Sequence, residues 1–197
     1  MIYPNSDKET SAPAAEPVST AEAKTHLRID HTDEDTYIGT LVTTARLSLE
    51  AMTRRAFVTQ TRVARYDSFP AVFEHHRSPL QSVSSIAYID TAGASQTLSA
   101  SLYSVDTYTE PGRVIPAYGE SWPSTRIVMN AVTETYIAGY GAAAAVPENV
   151  KHCIKRLLSH WYEFREPMIV GTIVSRENMP WGDVQSLIAT FDTGVYA

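Results

Sequence analysis

Residues 19–57 read STAEAKTHLRIDHTDEDTYIGTLVTTARLSLEAMTRRAF and predict two helices separated by a short acidic segment, DHTDED. Ser19 and Glu22 have the spacing of a capping box, which predicts a short first helix ending near Leu27. Thr32 is the predicted N-cap of the second helix, and the acids that follow it favour the positive end of the helix dipole. The second helix ends at Arg54 and Arg55, where cations favour the negative end.

The second helix carries apolar residues at helical spacing, which predicts one buried stripe. These residues are Ile38, Leu41, Val42, Ala45, Leu49 and Met52. The chain has few residues of the types used in catalysis. The two predicted helices therefore either support a site or contact a neighbouring chain.

Outward from this stretch, the sequence changes character several times. Residues 1–17 are rich in Pro, Ala, Ser and Glu and predict a flexible arm. Residues 57–146 predict an inserted β module of short antiparallel strands, including VTQTRVARYDSFP, SVSSIAYID, RVIP, RIVMN and VTETYIAGYG. Residues 18–56 and 147–166 predict a helical core, and residues 167–197 a tail with a short amphipathic helix. The predicted fold class is α+β.

The third predicted helix begins after Pro147, whose missing N–H is tolerated in a first turn, and it ends before Pro167. Its predicted core stripe consists of Val150, Ile154, Leu157, Leu158 and Trp161.

Composition limits the function. The chain has 197 residues, 44% of them hydrophobic, with 22 acidic and 16 basic residues and a net charge of -6. An acidic balance argues against a surface that grips duplex DNA, which needs excess Lys and Arg. No apolar run has the length of a membrane span, and the N-terminus lacks the pattern of a secretion signal. The single cysteine, Cys153, excludes an intramolecular disulfide and fits a reducing compartment.

Motifs for catalysis, metals and cofactors are missing from the sequence, and none of these sites is predicted. DHTDED lacks the central glycine of a calcium loop and is interpreted as a helix-capping cluster. His75 and His76 are neighbours on a predicted strand and point to opposite faces. Cys153 lies on the core stripe and is interpreted as a small core residue. AGYGAAAAVPE lacks the Gly-Lys-Ser/Thr ending of a phosphate-binding loop.

The ordered set of segments resembles the head–tail connector, or adaptor, proteins of tailed bacteriophages. The segments are the helical start at 19–57, VTQTRVARYDSFP, PLQSVSSIAYIDTAGASQTL, YSVDT, RVIPAYGESWPSTR, YIAGYGAAAAVPENVKHCIKRLLSHWYEFRE and MPWGDVQSLIATF. The likeness covers about residues 17–192 and leaves the N-terminal arm and DTGVYA outside it.

The resemblance implies a structural virion protein, made in the bacterial host cytoplasm and located at the head–tail junction. Such proteins form a homo-oligomeric ring, commonly of twelve copies, that binds the portal protein and a stopper or tail-terminator protein. DNA passes through the ring without specific binding, and no membrane is involved. The alternatives are a monomeric or dimeric phage-encoded protein-binding module without ring formation and, less favoured, a hydrolase with a scattered site.

Two sets of interface residues follow from these expectations. The predicted β module carries tyrosines assigned to the contact with the adjacent subunit or the next ring: Tyr88, Tyr103, Tyr108, Tyr136 and Tyr140. The predicted tail helix carries an apolar face assigned either to the portal or to the chain's own core: Trp181, Val184, Leu187, Ile188 and Phe191.

Overall fold

The structure is a computed structural model and describes residues 4–165 and 186–189. The described residues divide into a β unit of residues 4–14 and 59–140 and a helical unit of residues 15–58, 141–165 and 186–189. The predicted α+β class is confirmed, because N- and C-terminal helices flank an inserted set of antiparallel strands.

The helical unit contains α1 (Thr20–Leu27), α2 (Asp35–Thr53) and α3 (Glu148–Glu163), which pack on one another. A 3-10 turn, Ala143–Ala145, precedes α3, and residues 186–188 are also helical. The predicted capping box of α1 is confirmed: the Glu22 N–H donates to the Ser19 hydroxyl, and the Ser19 N–H donates to the Glu22 carboxylate.

The predicted N-cap of α2 is wrong. The helix begins at Asp35 with Glu34 as N-cap, and no side chain caps it. Thr32 contributes its carbonyl instead, which accepts a hydrogen bond from the Asp35 N–H at 3.2 Å. Glu34 and Asp35 have partners outside α2, as described below, and the helix starts two residues later than the local pattern predicts.

Two apolar stripes form the core of the helical unit. Ile38, Val42, Ala45 and Leu49 of α2 are buried, but Met52 is 45% exposed and is not a core residue. On α3, Val150, Cys153, Ile154, Leu157 and Leu158 are buried, whereas Trp161 is only half-buried. On α2 the last turn still buries Glu50 and Thr53, so Met52 lies on the exposed side of that turn.

The β unit contains eight strands. They are β1 (Ser6–Ser11), β2 (Gln60–Tyr66), β3 (Phe73–Glu74), β4 (Leu80–Ile89), β5 (Ser95–Thr97), β6 (Tyr103–Asp106), β7 (Arg113–Pro116) and β8 (Val132–Ala138). One sheet has the order β1-β2-β8-β4-β5 and the other the order β3-β7-β6, and every paired strand is antiparallel to its neighbour.

The residues predicted as a flexible arm contain β1, which pairs with β2 from Ser6 opposite Arg65 to Ser11 opposite Thr61. The composition of this segment is polar, so nothing local indicates a strand. Its order comes from the ladder to β2 and from Asp7, whose carboxylate binds inside the β unit.

Side chains of the five-stranded sheet alternate between two faces. On β2 and β8 the buried positions are Gln60, Arg62, Ala64 and Tyr66, and Val132, Glu134, Tyr136 and Ala138. We call this the inner face. The three-stranded sheet and the residues around it cover the inner face, since Tyr66 packs edge-on against Phe73 of β3 at 5.1 Å between ring centroids. The opposite, outer face carries Lys8, Val63 and Arg65.

Candidate interaction surfaces

A buried ion pair lies on the inner face of the five-stranded sheet. His75 Nε2 and Glu134 Oε1 are 2.9 Å apart, and His75 Nδ1 is 3.0 Å from the Gly112 carbonyl oxygen. Burial by itself lowers the pKa of His75, but the Glu134 carboxylate and the Gly112 carbonyl outweigh it and raise the pKa. Gly112 is required here because a Cβ atom would lie 2.5 Å from Leu80 Cβ.

A second buried group links β1 to the rest of the unit. Arg62 Nε donates to Asp7 at 2.8 Å, and the Tyr136 hydroxyl donates to the other oxygen of Asp7 at 2.8 Å. Arg62 also donates to the Gln60 side chain at 2.9 Å. The N-terminal strand is therefore fixed by a charged residue whose partners lie more than fifty positions away in the sequence.

Neither buried group is arranged for catalysis on a substrate. His75 and Glu134 are 2% and 0% exposed, so no substrate reaches them. Cys153 is fully buried, and burial raises the pKa of its thiol to about 11, which disfavours the nucleophilic thiolate.

Among residues 4–165 and 186–189, no group of three or more His, Cys, Asp or Glu side chains is placed to hold a metal ion. No helix in this part of the chain has both the length and the apolar character to cross a membrane.

The acidic segment has a structural role within the helical unit. The Glu34 carboxylate accepts hydrogen bonds from the Tyr162 hydroxyl and, at 2.6 Å, from Arg165. The Tyr162 and Arg165 hydrogen bonds lower the pKa of Glu34. Lys24 of α1 lies 2.7 Å from Asp35. The segment thus ties the start of α2 to α1 and to the end of α3.

The five tyrosines predicted at an interface differ in their exposure to solvent. Tyr136 and Tyr103 are buried, at 1% and 9% exposure, so the β unit does cover them and they are not available to a neighbour. Tyr88 and Tyr140 are half-buried, and Tyr88 packs against Phe69 at 5.5 Å. Tyr108 is 98% exposed and remains a candidate.

Sequence reasoning missed an exposed apolar turn. RIVMN, predicted as a strand, forms a turn in which Ile127 and Met129 project into solvent. Its ends are fixed, because the Arg126 N–H donates to the Ile89 carbonyl and the Asn130 N–H donates to the Asp67 carboxylate. The signal available in the sequence was Asn130 itself, because Asn tolerates the left-handed region, and its φ in the structure is 56°.

Most of the predicted tail interface falls outside the described residues, including Trp181, Val184 and Phe191. Leu187 and Ile188 lie in the described helical turn, where Leu187 is half-buried and Ile188 is 7% exposed. The assignment of this face to the portal stays a prediction.

Comparisons with known proteins support one family. Residues 19–106 match the family described as phage gp6-like head-tail connector protein. This segment runs from α1 to the end of β6 and so includes parts of both units. No curated protein matches the chain significantly.

Solved structures share the fold over nearly the whole chain. A chain in the neck of an empty gene transfer agent particle, computed with C6 symmetry, matches with a TM-score of 0.78 and 21% identity. A chain of the virion of the native gene transfer agent particle matches with a TM-score of 0.77 and 20% identity. A chain in the native neck, computed with C12 symmetry, matches with a TM-score of 0.75 and 18% identity. Each match covers 95% of this chain and 95% of the other. The resemblance seen in the sequence is confirmed: over residues 19–106, this chain matches the phage head–tail connector family.

Proposed function

We propose that this chain is a structural protein of a phage-type particle that forms a ring at the head–tail junction. The observation that carries the proposal is the connector-family match over residues 19–106. The shared fold with neck chains of gene transfer agent particles supports it, because those necks were computed with six-fold and with twelve-fold symmetry, and a ring of twelve copies is compatible with both. The ring of this chain is accordingly proposed to contain twelve copies.

The physical character of the chain fits a structural role. In this chain, His75 and Cys153 are buried and out of reach of a substrate. Its charged interior residues are used to fix strands and helices to one another. The proposed partners are a portal protein on one side and a stopper or tail-terminator protein on the other.

The net charge of -6 supports passage of DNA through the ring without tight binding. A wall that lacks excess Lys and Arg does not release the counterions that drive phosphate binding. The duplex is then free to move through the ring.

The test is the mass and shape of the purified full-length chain, alone and mixed with portal protein, by native mass spectrometry and electron microscopy. A ring, formed alone or on the portal, is the expected result. A stable monomer or dimer under both conditions contradicts the ring and favours a small protein-binding module.

The tail helix is proposed to dock on the portal through Trp181 and Phe191, and a truncation after Glu166 tests this separately. The shortened chain is expected to keep its helical circular dichroism signal and to lose portal binding. Unfolding on truncation would assign the tail to the chain's own core. A folded, truncated chain that still binds would place the portal contact elsewhere.

A further inference from the structure

The turn between β6 and β7 is held rigidly by one carboxylate. Asp106 accepts hydrogen bonds from the N–H groups of Tyr108 (2.9 Å) and Thr109 (3.3 Å) and from the Thr109 hydroxyl (2.8 Å). It also accepts one from Arg113 at 3.1 Å. These hydrogen bonds, that of the Thr109 hydroxyl foremost, lower the pKa of Asp106 to about 2, so the carboxylate stays ionised at any physiological pH.

The rigid turn presents Tyr108 to solvent. The side chain is 98% exposed, and its backbone N–H is fixed by Asp106. A tyrosine on a fixed backbone loses little conformational entropy on binding and buries a large amphipathic surface. We call residues 107–112 the Tyr108 turn.

The outer face of the five-stranded sheet carries a cleft of about 610 Å³, within the usual size range of binding pockets. We call it the outer cleft. Its lining residues are Asn5, Ser6, Lys8, Thr10, Val63, Arg65, Asp67, Met129 and Asn130.

The outer cleft combines apolar and cationic groups. Val63 and Met129 offer apolar surface, and Met129 is 84% exposed. In the described part of the chain, neither Lys8 nor Arg65 has a carboxylate within ion-pair distance. Asp67, the acid of the cleft, already accepts hydrogen bonds from the Asn5 side chain and the Asn130 backbone.

The turn and the cleft lie on opposite faces of the β unit. Lys8, Val63 and Arg65 alternate along their strands with inner-face residues such as Asp7 and Arg62. The strands β6 and β7 belong to the sheet that covers the inner face. A chain therefore does not fill its own outer cleft, but a chain beside it is able to.

We propose that the Tyr108 turn of one copy inserts into the outer cleft of the next copy around the ring. The Tyr108 ring would pack on Val63 and Met129, with the Arg65 guanidinium near the ring face. Charge also matches: residues 106–113 carry Asp106, Glu110 and Arg113, a net charge of -1, whereas the cleft carries Lys8, Arg65 and Asp67, a net charge of +1.

A contact between two different surfaces on opposite faces is heterologous, and repetition of such a contact closes a ring when the rotation permits. The inference rests on the proposed ring function and names the residues that join its subunits. A two-fold contact, by contrast, would pair one surface with itself and stop at a dimer.

Cysteine cross-linking tests the contact directly in the full-length chain. Cys153 is the one native cysteine and is buried, so introduced thiols dominate the reaction. Oxidation of the double variant Tyr108→Cys/Met129→Cys is expected to give a ladder of covalent oligomers that reductant collapses to monomer. The matched control is Tyr118→Cys/Met129→Cys, because Tyr118 is as exposed as Tyr108 but lies on another turn and should give no ladder.

A substitution series covers the case in which the introduced cysteines do not reach disulfide geometry. Tyr108→Ala is expected to raise the protein concentration needed for ring assembly at least tenfold. Tyr118→Ala is expected to leave this concentration unchanged. Arg65→Glu should also weaken assembly, because it reverses a charge of the outer cleft and removes the cation from the Tyr108 ring face.

The outcomes separate this contact from the ring itself. Rings that form normally in Tyr108→Ala, without a ladder from the cysteine pair, overturn the contact and leave the ring proposal standing. Cross-linking that stops at a dimer also overturns it. A wild-type chain that never forms rings, alone or with portal protein, removes both proposals.

Discussion

The two units differ in where their buried charges find partners. The helical unit buries apolar stripes on α2 and α3 together with the ion pair of Arg46 and Glu50, which lie one turn apart on α2 with nitrogen and oxygen 2.8 Å apart. The β unit buries aromatic rings together with His75, Glu134 and Arg62 on the inner face of its larger sheet. An apolar stripe and the Arg46–Glu50 pair are specified by spacing along one helix, whereas the pair of His75 and Glu134 requires two groups 59 residues apart to meet.

The difference has a consequence for stability. Apolar residues lose packing and leave a cavity when they are truncated. Charged residues leave an uncompensated buried partner when one of them is removed. The apolar stripe residues of the helical unit and the His75–Glu134 pair of the β unit should therefore respond differently to single and to paired substitutions.

The largest effect is expected in the β unit. His75→Leu leaves the Glu134 carboxylate buried without its cation, and we expect a loss of about 3–5 kcal/mol in the free energy of unfolding. Denaturant titration measures it. The double variant His75→Leu/Glu134→Leu should recover part of the loss, because it removes both charges; an equal or larger loss in the double variant would show that packing, not charge, dominates.

The helical core should give the next effect. Leu157→Ala removes a fully buried side chain and is expected to cost about 2–5 kcal/mol in the free energy of unfolding. The matched control, Leu47→Ala, changes the same residue type at a position on α2 that is 49% exposed, and a change within about half a kcal/mol is expected. Similar losses in the two variants would contradict the assignment of the α3 stripe to the core.

The pH dependence sharpens the comparison, because His75 titrates within the core of the β unit. Its pKa is raised above the usual 6.5, so the stabilising contribution of the pair is fully present below pH 6.5 and is lost as the pH rises through the folded-state value. We expect the melting temperature of wild type relative to His75→Leu to fall as the pH rises above 6.5. The control variant is His152→Ala, at an exposed position, and its melting temperature should change with pH as that of wild type does. A difference in melting temperature between wild type and His75→Leu that stays constant above pH 6.5 would show that His75 does not become charged.

The smallest effect concerns a local contact of the helical unit. Ser19→Ala removes the hydroxyl that caps α1 and should cost about 0.5–2 kcal/mol in the free energy of unfolding. Ser19→Gly should cost less, because glycine is tolerated at this position. Equal stability of wild type and Ser19→Ala would mean that packing of α1 alone holds the helix.

Whether a tyrosine predicted at the subunit interface is exposed depends on which face of its strand it occupies. The alternation of β8 was visible in VTETYIA, but alternation does not say which of its two sets is buried. The buried set contains Glu134 and Tyr136: His75 pairs with one carboxylate oxygen of Glu134, and the Tyr136 hydroxyl donates to Asp7. Tyr136 was therefore predicted at an interface and lies in the core, whereas Tyr108, in a turn, lies on the surface as expected.

The sequence by itself determined the α+β class, the capping box of α1 and the core stripes of α2 and α3, along with the connector resemblance. These features depend on contacts between residues at most a few turns apart, or on the order of segments along the chain. Only the tertiary structure decided that the N-terminal residues form β1, that His75 and Glu134 pair, and that the Tyr108 turn and the outer cleft lie on opposite faces. The strand β1 and the buried pair depend on partners from 50 residues apart, as for Ser11 opposite Thr61, to 129 apart, as for Asp7 and Tyr136. No local pattern encodes such partners, because the free energy that selects them arises only when the strands come together.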